Sequence, residues 1–435
     1  MVKIDKGGRE MKLNYRRTFF IGLAFLSICA FWQLYEMIVP LILKNTFEIG
    51  DTMAGAIMAL DNVLALFMLP LFGTLSDKTK TPWGKRMPFI VGGTAVAVIA
   101  MVFMPIGDNI RNLTIFLAAL FITLVAMSTY RSPAVALMPD VTPKPLRSKA
   151  NAVINLMGAV GGAVTLGLIA FLVKDVDKPN YFPLFSIIAG LMAVAVLVLF
   201  LVIKENKLVA EMKAQDGHQT QEENSEENKG KMAPEVRKSL IFILLSIFFW
   251  FFAYNAVTTA FSKYAQDFLG IRGGGFAANF LIATVAAIIS YIPIGMIASR
   301  VGRRKTILVG IAMMFVSFAA ASFFTGYSPL LTVLLVIIGS GWAAINVNSY
   351  PMVVEMSKGS DVGKYTGYYY TFSMTAQVLT PIVSGALLEH VSYRTLFPYA
   401  ALFMALAFCT MLMVRHGDSK PVTPKDKLEM LDVGD

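Results

Sequence analysis

The sequence predicts an all-α membrane protein of twelve transmembrane helices, arranged as two pseudo-symmetric six-helix bundles. Three observations predict it: twelve apolar runs long enough to cross a bilayer, Lys and Arg gathered in alternate loops, and motifs that recur after about half the chain. Composition sets the class. Of 435 residues, 56% are hydrophobic and 15% charged, against about 25% charged in a typical soluble domain. The mean hydropathy is +0.64.

A spanning helix needs roughly 20 mostly apolar residues. The first such run, 18–43, follows a basic N-terminus with Lys12, Arg16 and Arg17. It is too long for the apolar region of a signal peptide, so it reads as an uncleaved span. The second, 52–75, is apolar apart from Asp61 and Asn62. Runs at 88–106, 113–139, 149–173 and 182–203 complete a first set of six. The stretch 204–238 then carries acidic and basic residues together, including "QEENSEENKG", and reads as a solvated, partly disordered cytoplasmic linker. Runs at 239–261, 276–298, 306–325, 329–354, 365–389 and 394–414 form the second set, with turn signals at Gly273-Gly274-Gly275 and Ser328-Pro329. The expected organisation is a bundle over 1–203, the linker 204–238, a second bundle over 239–414, and a cytoplasmic tail over 415–435.

The formal net charge of +10 does not point to nucleic acid, because the loops account for it. Of the 38 Lys and Arg, seven fall in the loops opposite the termini: Lys44, Arg111, Lys174, Lys178, Lys263, Arg272 and Arg394. Arg131 lies inside a span, and all the others share the side of the termini. That bias predicts both termini in the cytoplasm, and with the spans it predicts a multi-pass protein of the cell membrane. Cys29 and Cys409 both sit in apolar runs, so no disulfide framework is expected. His218, His390 and His416 are scattered without ligand spacing, so neither a metal site nor a cofactor is expected.

The halves repeat. "GTLSDKTKTPWGKR", from Gly73, is echoed by "GMIASRVGRRK", from Gly295, and Phe31-Trp32 by Phe249-Trp250. Asp140 before Arg147 is echoed by Glu355 before Lys364. All these pairs are about 215–222 residues apart. The repeated loops read as a cytoplasmic latch in which basic residues pair with helix ends and with an acidic partner. Its members are Gly73, Asp77, Gly84, Lys85, Arg86, Asp140 and Arg147 in the first half. In the second they are Gly295, Arg300, Gly302, Arg303, Arg304, Glu355 and Lys364. The competing reading is a plain positive-inside anchor.

Ionisable groups inside lipid cost roughly 2.5–3.5 kcal/mol each on insertion scales and usually mark function. Three are clear: Glu36, Asp61 and Arg131. At 1.5 Å per residue, Asp61 lies about 14 Å and Glu36 about 10 Å below the outer ends of their helices, so the carboxylates share a depth. Both are candidates for carrying a coupled proton, with Arg131 as a gating or substrate charge. The alternative is a buried ion pair of either carboxylate with Arg131 that fixes helix packing. Aromatic faces beside amides and carboxylates suit sugars. Trp32 shares a helix face with Glu36, next to Gln33, and Trp250 shares one with Tyr254, next to Asn255. The same spacing joins Trp342 to Asn346 and Asn151 to Asn155, and Tyr370 and Ser373 precede Gln377. Interfacial packing of the Trp residues is the competing explanation.

The loop "GTLSDKTKTPWGKR" resembles the signature of the major facilitator superfamily between helices two and three. "SDKTKTPWGKRMPFI" resembles the glycoside–pentoside–hexuronide group, which includes sucrose–proton symporters and melibiose permeases. "RSPAVALMPDVTPKPLRSKANAV" is similar to the helix four–five region of the sucrose branch. The resemblance implies a rocking two-bundle symporter with its solute site between the bundles. Two departures matter. Melibiose permeases carry aspartates on helix two where this chain has Ala65 and Leu69, which argues against sodium coupling of that type. Helix four holds no carboxylate before Asp140, where plant sucrose carriers have an acidic residue.

The leading expectation is a proton-coupled symporter for a sugar or glycoside, a small-molecule solute, working by alternating access in a lipid bilayer. The alternative keeps the fold and changes the cargo to a drug-like or other small metabolite for export. An enzyme would need a nucleophile–base pair or a metal cluster, and the sequence offers neither. A non-transporting sensor would need a signalling domain, and the central loop is too short for one.

Overall fold

The computed structural model describes residues 13–143, 146–176, 178–216, 233–356 and 362–418, and the described residues form helices and connections with no strand. The first six spans are α1 (Tyr15–Asn45), α2 (Asp51–Lys78), α3 (Met87–Asn109), α4 (Leu113–Val141), α5 (Arg147–Leu172) and α6 (Phe182–Val202). A short α7 (Glu205–Asp216) follows. Six more spans are α8 (Pro234–Asp267), α9 (Gly275–Val301), α10 (Arg303–Ala321), α11 (Pro329–Glu355), α12 (Val362–His390) and α13 (Leu396–Leu412). Every helix except α7 is long and apolar enough to cross a membrane, the last when counted from the 3₁₀ turn Tyr393–Thr395 that leads into it. Each of the twelve runs expected from hydropathy falls on one of these helices, in order.

The ends follow local chemistry. Asn112 caps α4 by accepting from the Ile115 N–H at 3.0 Å, and Ser328 caps α11 ahead of Pro329. Helix α8 runs from Pro234, five residues before the expected start, and continues past 261 through Lys263 to Asp267. Polar residues at a span's ends lower hydropathy without breaking helical hydrogen bonds. Helix α10 stops at Ala321 rather than 325, because Ser322–Ser328 turns the chain into α11.

The stretch 204–238, expected to be a partly disordered linker, is helical at both ends. It opens with α7 and closes with the first turn of α8. The "QEENSEENKG" run and His218 lie outside the described residues, as does the tail from 419.

Contacts gather the chain into two compact units. The first comprises 1–32, 64–165 and 180–228, and the second 33–63, 166–179 and 229–435. This division follows contacts and passes inside α1, α2 and α5, whereas the expected one followed connectivity. In the first unit α3 packs on α4 and α6 around buried Met101, Phe116, Met127 and Tyr130. In the second, α8 packs on α12 and α13, and α11 on α9 and α10. Its core is aromatic, with Phe252 against Phe403 at 4.6 Å and Tyr264 against Phe397 at 5.0 Å between ring centroids. Large apolar side chains on the spans, such as Phe67, Phe171 and Val194, are exposed, a surface that suits a lipid environment.

Candidate functional site

The second unit brings four of the expected residues into one neighbourhood. Glu36 comes from α1, Asp61 from α2, Tyr254 from α8 and Trp342 from α11. The carboxylates of Glu36 and Asp61 lie within electrostatic reach of each other. Tyr254 is an electrostatic neighbour of Glu36 and of Tyr291. Its ring stacks on Trp342 with centroids 3.8 Å apart and planes 6° from parallel. Asn62 donates to an Asp61 oxygen at 2.8 Å. Tyr35, which neighbours both carboxylates, donates its hydroxyl to the Met58 carbonyl at 3.0 Å and ties α1 to α2. The outcome is a pair of carboxyl groups beside a parallel aromatic stack.

The remaining candidates are placed as follows. Gln33 carries a buried Nε2 with no hydrogen-bond partner among the described residues. The Asn255 amide donates to the Phe251 carbonyl of its own helix at 2.8 Å. Asn346 and Gln377 are half-buried. Trp250 is fully buried, so it serves the packing of α8 while Tyr254, one turn on, is half-buried. In the first unit the Arg131 guanidinium lies over the Trp32 ring, 5.8 Å from its centroid, a cation–π contact. Asn151 and Asn155 are half-buried on α5. Tyr35 and Tyr291 were missed in the sequence, since a lone Tyr in an apolar run carries no distinguishing spacing.

The repeated loops form a charge cluster in each unit. In the first, Arg86 is the hub. Its Nε donates to Asp140 at 2.8 Å, and its other nitrogens reach Asp77, Ser76 and, at 3.3 Å, the Gly73 carbonyl. Lys85 adds contacts to Asp140 at 3.0 Å and Asp77 at 3.6 Å. Arg147 instead donates to the Pro139 and Thr142 carbonyls at the end of α4. In the second, Arg303 pairs with Glu355, and Arg304 donates to the Leu412 carbonyl at 2.8 Å. Lys364 lies over the Tyr368 ring, Arg300 is exposed and Gly295 half-buried. Two acids that the sequence left in the linker and the tail, Glu205 and Asp418, join these clusters. Lys263, counted among loop cations, lies within α8 and is buried against Asp51.

Residues 20–414 match the family described as "MFS/sugar transport protein". Over 150 residues the chain is 26% identical to the sucrose transport protein SUC3 of Arabidopsis thaliana, a match covering 30% of this chain and 25% of that protein. Over 148 residues it is 26% identical to an uncharacterized symporter of Synechocystis sp., covering 32% and 27%. The chain thus spans about a quarter of the length of these two curated relatives. Its fold is similar to the inward-open xylose transporter XylE from E. coli, with a TM-score of 0.66 over 96% of this chain and 98% of that one. At 12% identity that likeness concerns the fold alone.

Proposed function

The chain belongs to the MFS/sugar transport protein family, and from that premise we propose that it is a proton symporter for a sugar or glycoside, working by alternating access. That it is an integral membrane protein of a secondary-transport family follows from its twelve apolar helices and the family match. The observation that carries the finer reading is the neighbourhood of Glu36, Asp61, Tyr254 and Trp342. Two like charges this close repel, and one proton shared by the pair removes the repulsion. An aromatic face beside carboxylate acceptors suits a pyranose, whose C–H face stacks while its hydroxyls donate.

The names of the relatives, a sucrose transport protein and a symporter, agree with this reading. The bias of Lys and Arg supports cytoplasmic termini, and the reading places the protein in the cell membrane. In this scheme the bundles 1–203 and 239–414 rock about the solute, with 204–238 as the cytoplasmic linker between them.

The test is counterflow in proteoliposomes against a panel of mono- and disaccharides, with external pH recorded in light buffer. A transported sugar should exchange, and its addition should alkalinise the medium as protons enter with it. Uptake driven equally well by sodium without a pH gradient would rule out proton coupling. Exchange of none of the sugars would remove the cargo assignment.

A further inference from the structure

At the end of the second unit away from the chain termini, five polar side chains from four elements meet. Lys263 of α8 binds Asp51 at the start of α2, Nζ to Oδ1 at 2.6 Å. Tyr393, in the 3₁₀ turn before α13, donates to the other Asp51 oxygen at 2.5 Å. Lys44, near the end of α1, contacts both Tyr393 and Asp267. Asp51 and Lys263 are only 5% and 4% exposed. Beside them α2 and α12 touch backbone to backbone. A Cβ on Gly55 would stand 2.0 Å from the Pro381 carbonyl oxygen, and one on Gly385 2.3 Å from that of Asp51.

The position of this cluster along three helices gives it meaning. Lys44 stands eight residues from Glu36 on α1, Asp51 ten from Asp61 on α2, and Lys263 nine from Tyr254 on α8. At 1.5 Å per residue these are rises of about 12, 15 and 14 Å. The cluster therefore forms one layer above the carboxylate–aromatic layer. On its outer side is a cavity of about 620 Å³ lined by Lys44, Asp51, Asp267, Glu389 and Tyr393. On its inner side lies a void of about 10 Å³ lined by Gly55, Met58, Thr259, Lys263 and Pro381, room for one water at most.

We propose that Asp51, Lys263 and Tyr393 form a lock that closes the solute pathway at this far end, and that it parts when the Glu36–Asp61 site opens to that side. The inference rests on alternating access and on neither the solute nor the coupling ion. Packing alone gives little reason for these residues, because a buried ion pair adds little net stability over apolar side chains of the same volume. A lock does give a reason, since the pair holds one register and releases it as a unit. The seam can separate without disentangling side chains, because glycine faces backbone on both helices. Pro381 provides a bending point in α12 at the seam, as it lacks the N–H that would bind the carbonyl of residue 377. Water from the outer cavity can then solvate the parted charges.

The lock is tested with Thr259→Cys, placed just inside it, in a protein whose Cys29 and Cys409 are replaced by Ala. Labelling by a membrane-impermeant maleimide is measured from the side away from the termini. Labelling is expected to be slow in this parent. It should rise by about tenfold in Lys263→Met or Asp51→Asn, as the open population grows. The exchange of Asp51→Lys with Lys263→Asp should bring it back toward the parent rate, because the pair can re-form. Tyr393→Phe removes one hydroxyl without unpairing a buried charge, and should give a smaller rise in fully folded protein. Unchanged labelling in Tyr393→Phe and in the folded single charge variants would overturn the lock. So would a rise that the charge exchange fails to reverse while Tyr393→Phe stays at the parent rate, which is the pattern of local unfolding. Alternating access is read separately, from the effect of transported solute on parent labelling, so its failure is distinguishable from failure of the lock.

Discussion

Glu205 in the first unit and Asp418 in the second hold the same place. The Glu205 carboxylate accepts from the backbone N–H groups of Lys85, Arg86 and Met87 at 2.9, 3.0 and 2.9 Å, closing the N-terminus of α3. Asp418 accepts from the Arg304 N–H at 2.8 Å at the start of α10. Each helix follows a glycine at positive φ, Gly84 at 122° and Gly302 at 97°. A Cβ at either glycine would press on the carboxylate, at 2.1 and 2.9 Å. An anion at the positive end of a helix is favourable, and glycine alone fits both the turn and the approach. The repeat thus extends to an acid–glycine pair in each unit.

Burial separates the two caps. Glu205 is 1% exposed, whereas Asp418 is exposed. Glu205→Ala leaves the buried N–H groups of Arg86 and Met87 and the part-buried one of Lys85 unsatisfied and should cost about 2 kcal/mol. Asp418→Ala should cost about 0.5 kcal/mol, since water replaces its oxygen. Thermal unfolding in detergent should show several degrees lost for the first and little for the second. Equal losses would mean that burial does not set the strength of the caps.

The charge cluster around Arg86 gives a second contrast. The Arg86 side chain is 5% exposed and Asp77 56%. Arg86→Ala removes the hub but leaves Asp140 its contact with Lys85 and Ser76 its bond to the Gly73 carbonyl, and should destabilise by about 1–2 kcal/mol. Asp77→Asn should leave insertion and melting near the parent and change transport rate, because Asp77 is the accessible member. Transport unchanged in both variants would reduce the loop to a topology anchor.

Hydropathy made the twelve spans legible because a bilayer imposes one length on every crossing. It passed over α7, whose charged sequence "ENKLVAEMKAQD" has no apolar run; Glu205 at its first position, buried against the α3 N-terminus, is what ties it down. Periodicity picked out Trp250 and Tyr254 as one face but could not separate them. In the structure one is fully buried, and the other, half-buried, stacks on Trp342. The Lys263–Asp51 pair was beyond sequence reasoning altogether, since its partners are 212 residues apart and each resembles an ordinary helix-end charge.

The Tyr254–Trp342 stack leads to an affinity prediction. With planes 6° apart, each ring holds the other in place, and Phe251 packs edge-on against Trp342 at 5.3 Å. Trp342→Phe preserves a stacking surface, while Trp342→Ala removes it and leaves Tyr254 unsupported. Loss of a stacking contact of about 1.4 kcal/mol is tenfold in affinity. Trp342→Ala should raise the KM for sugar about tenfold with a smaller effect on kcat, and Trp342→Phe should fall between. A kcat loss at constant KM in both would place the stack in the conformational step instead.

Asp61 carries the sharpest test of coupling. Helix α2 is otherwise apolar through its middle apart from Asn62, which donates to Asp61, and the neighbouring charge is Glu36. If Asp61 carries the transported proton, Asp61→Asn mimics its protonated form permanently. Exchange of solute across the membrane needs no net proton release, so counterflow should persist at near the parent rate. Accumulation against a gradient requires the empty carrier to lose its proton and reset, so it should fall to the background. A carboxylate kept only for helix packing behaves otherwise: its loss weakens the fold, and exchange and accumulation decline together. Both assays on one Asp61→Asn preparation, with its melting temperature, separate these cases. Normal proton-driven accumulation in that variant would remove Asp61 from the coupling step, and Glu36→Gln would then be expected to show the split between counterflow and accumulation.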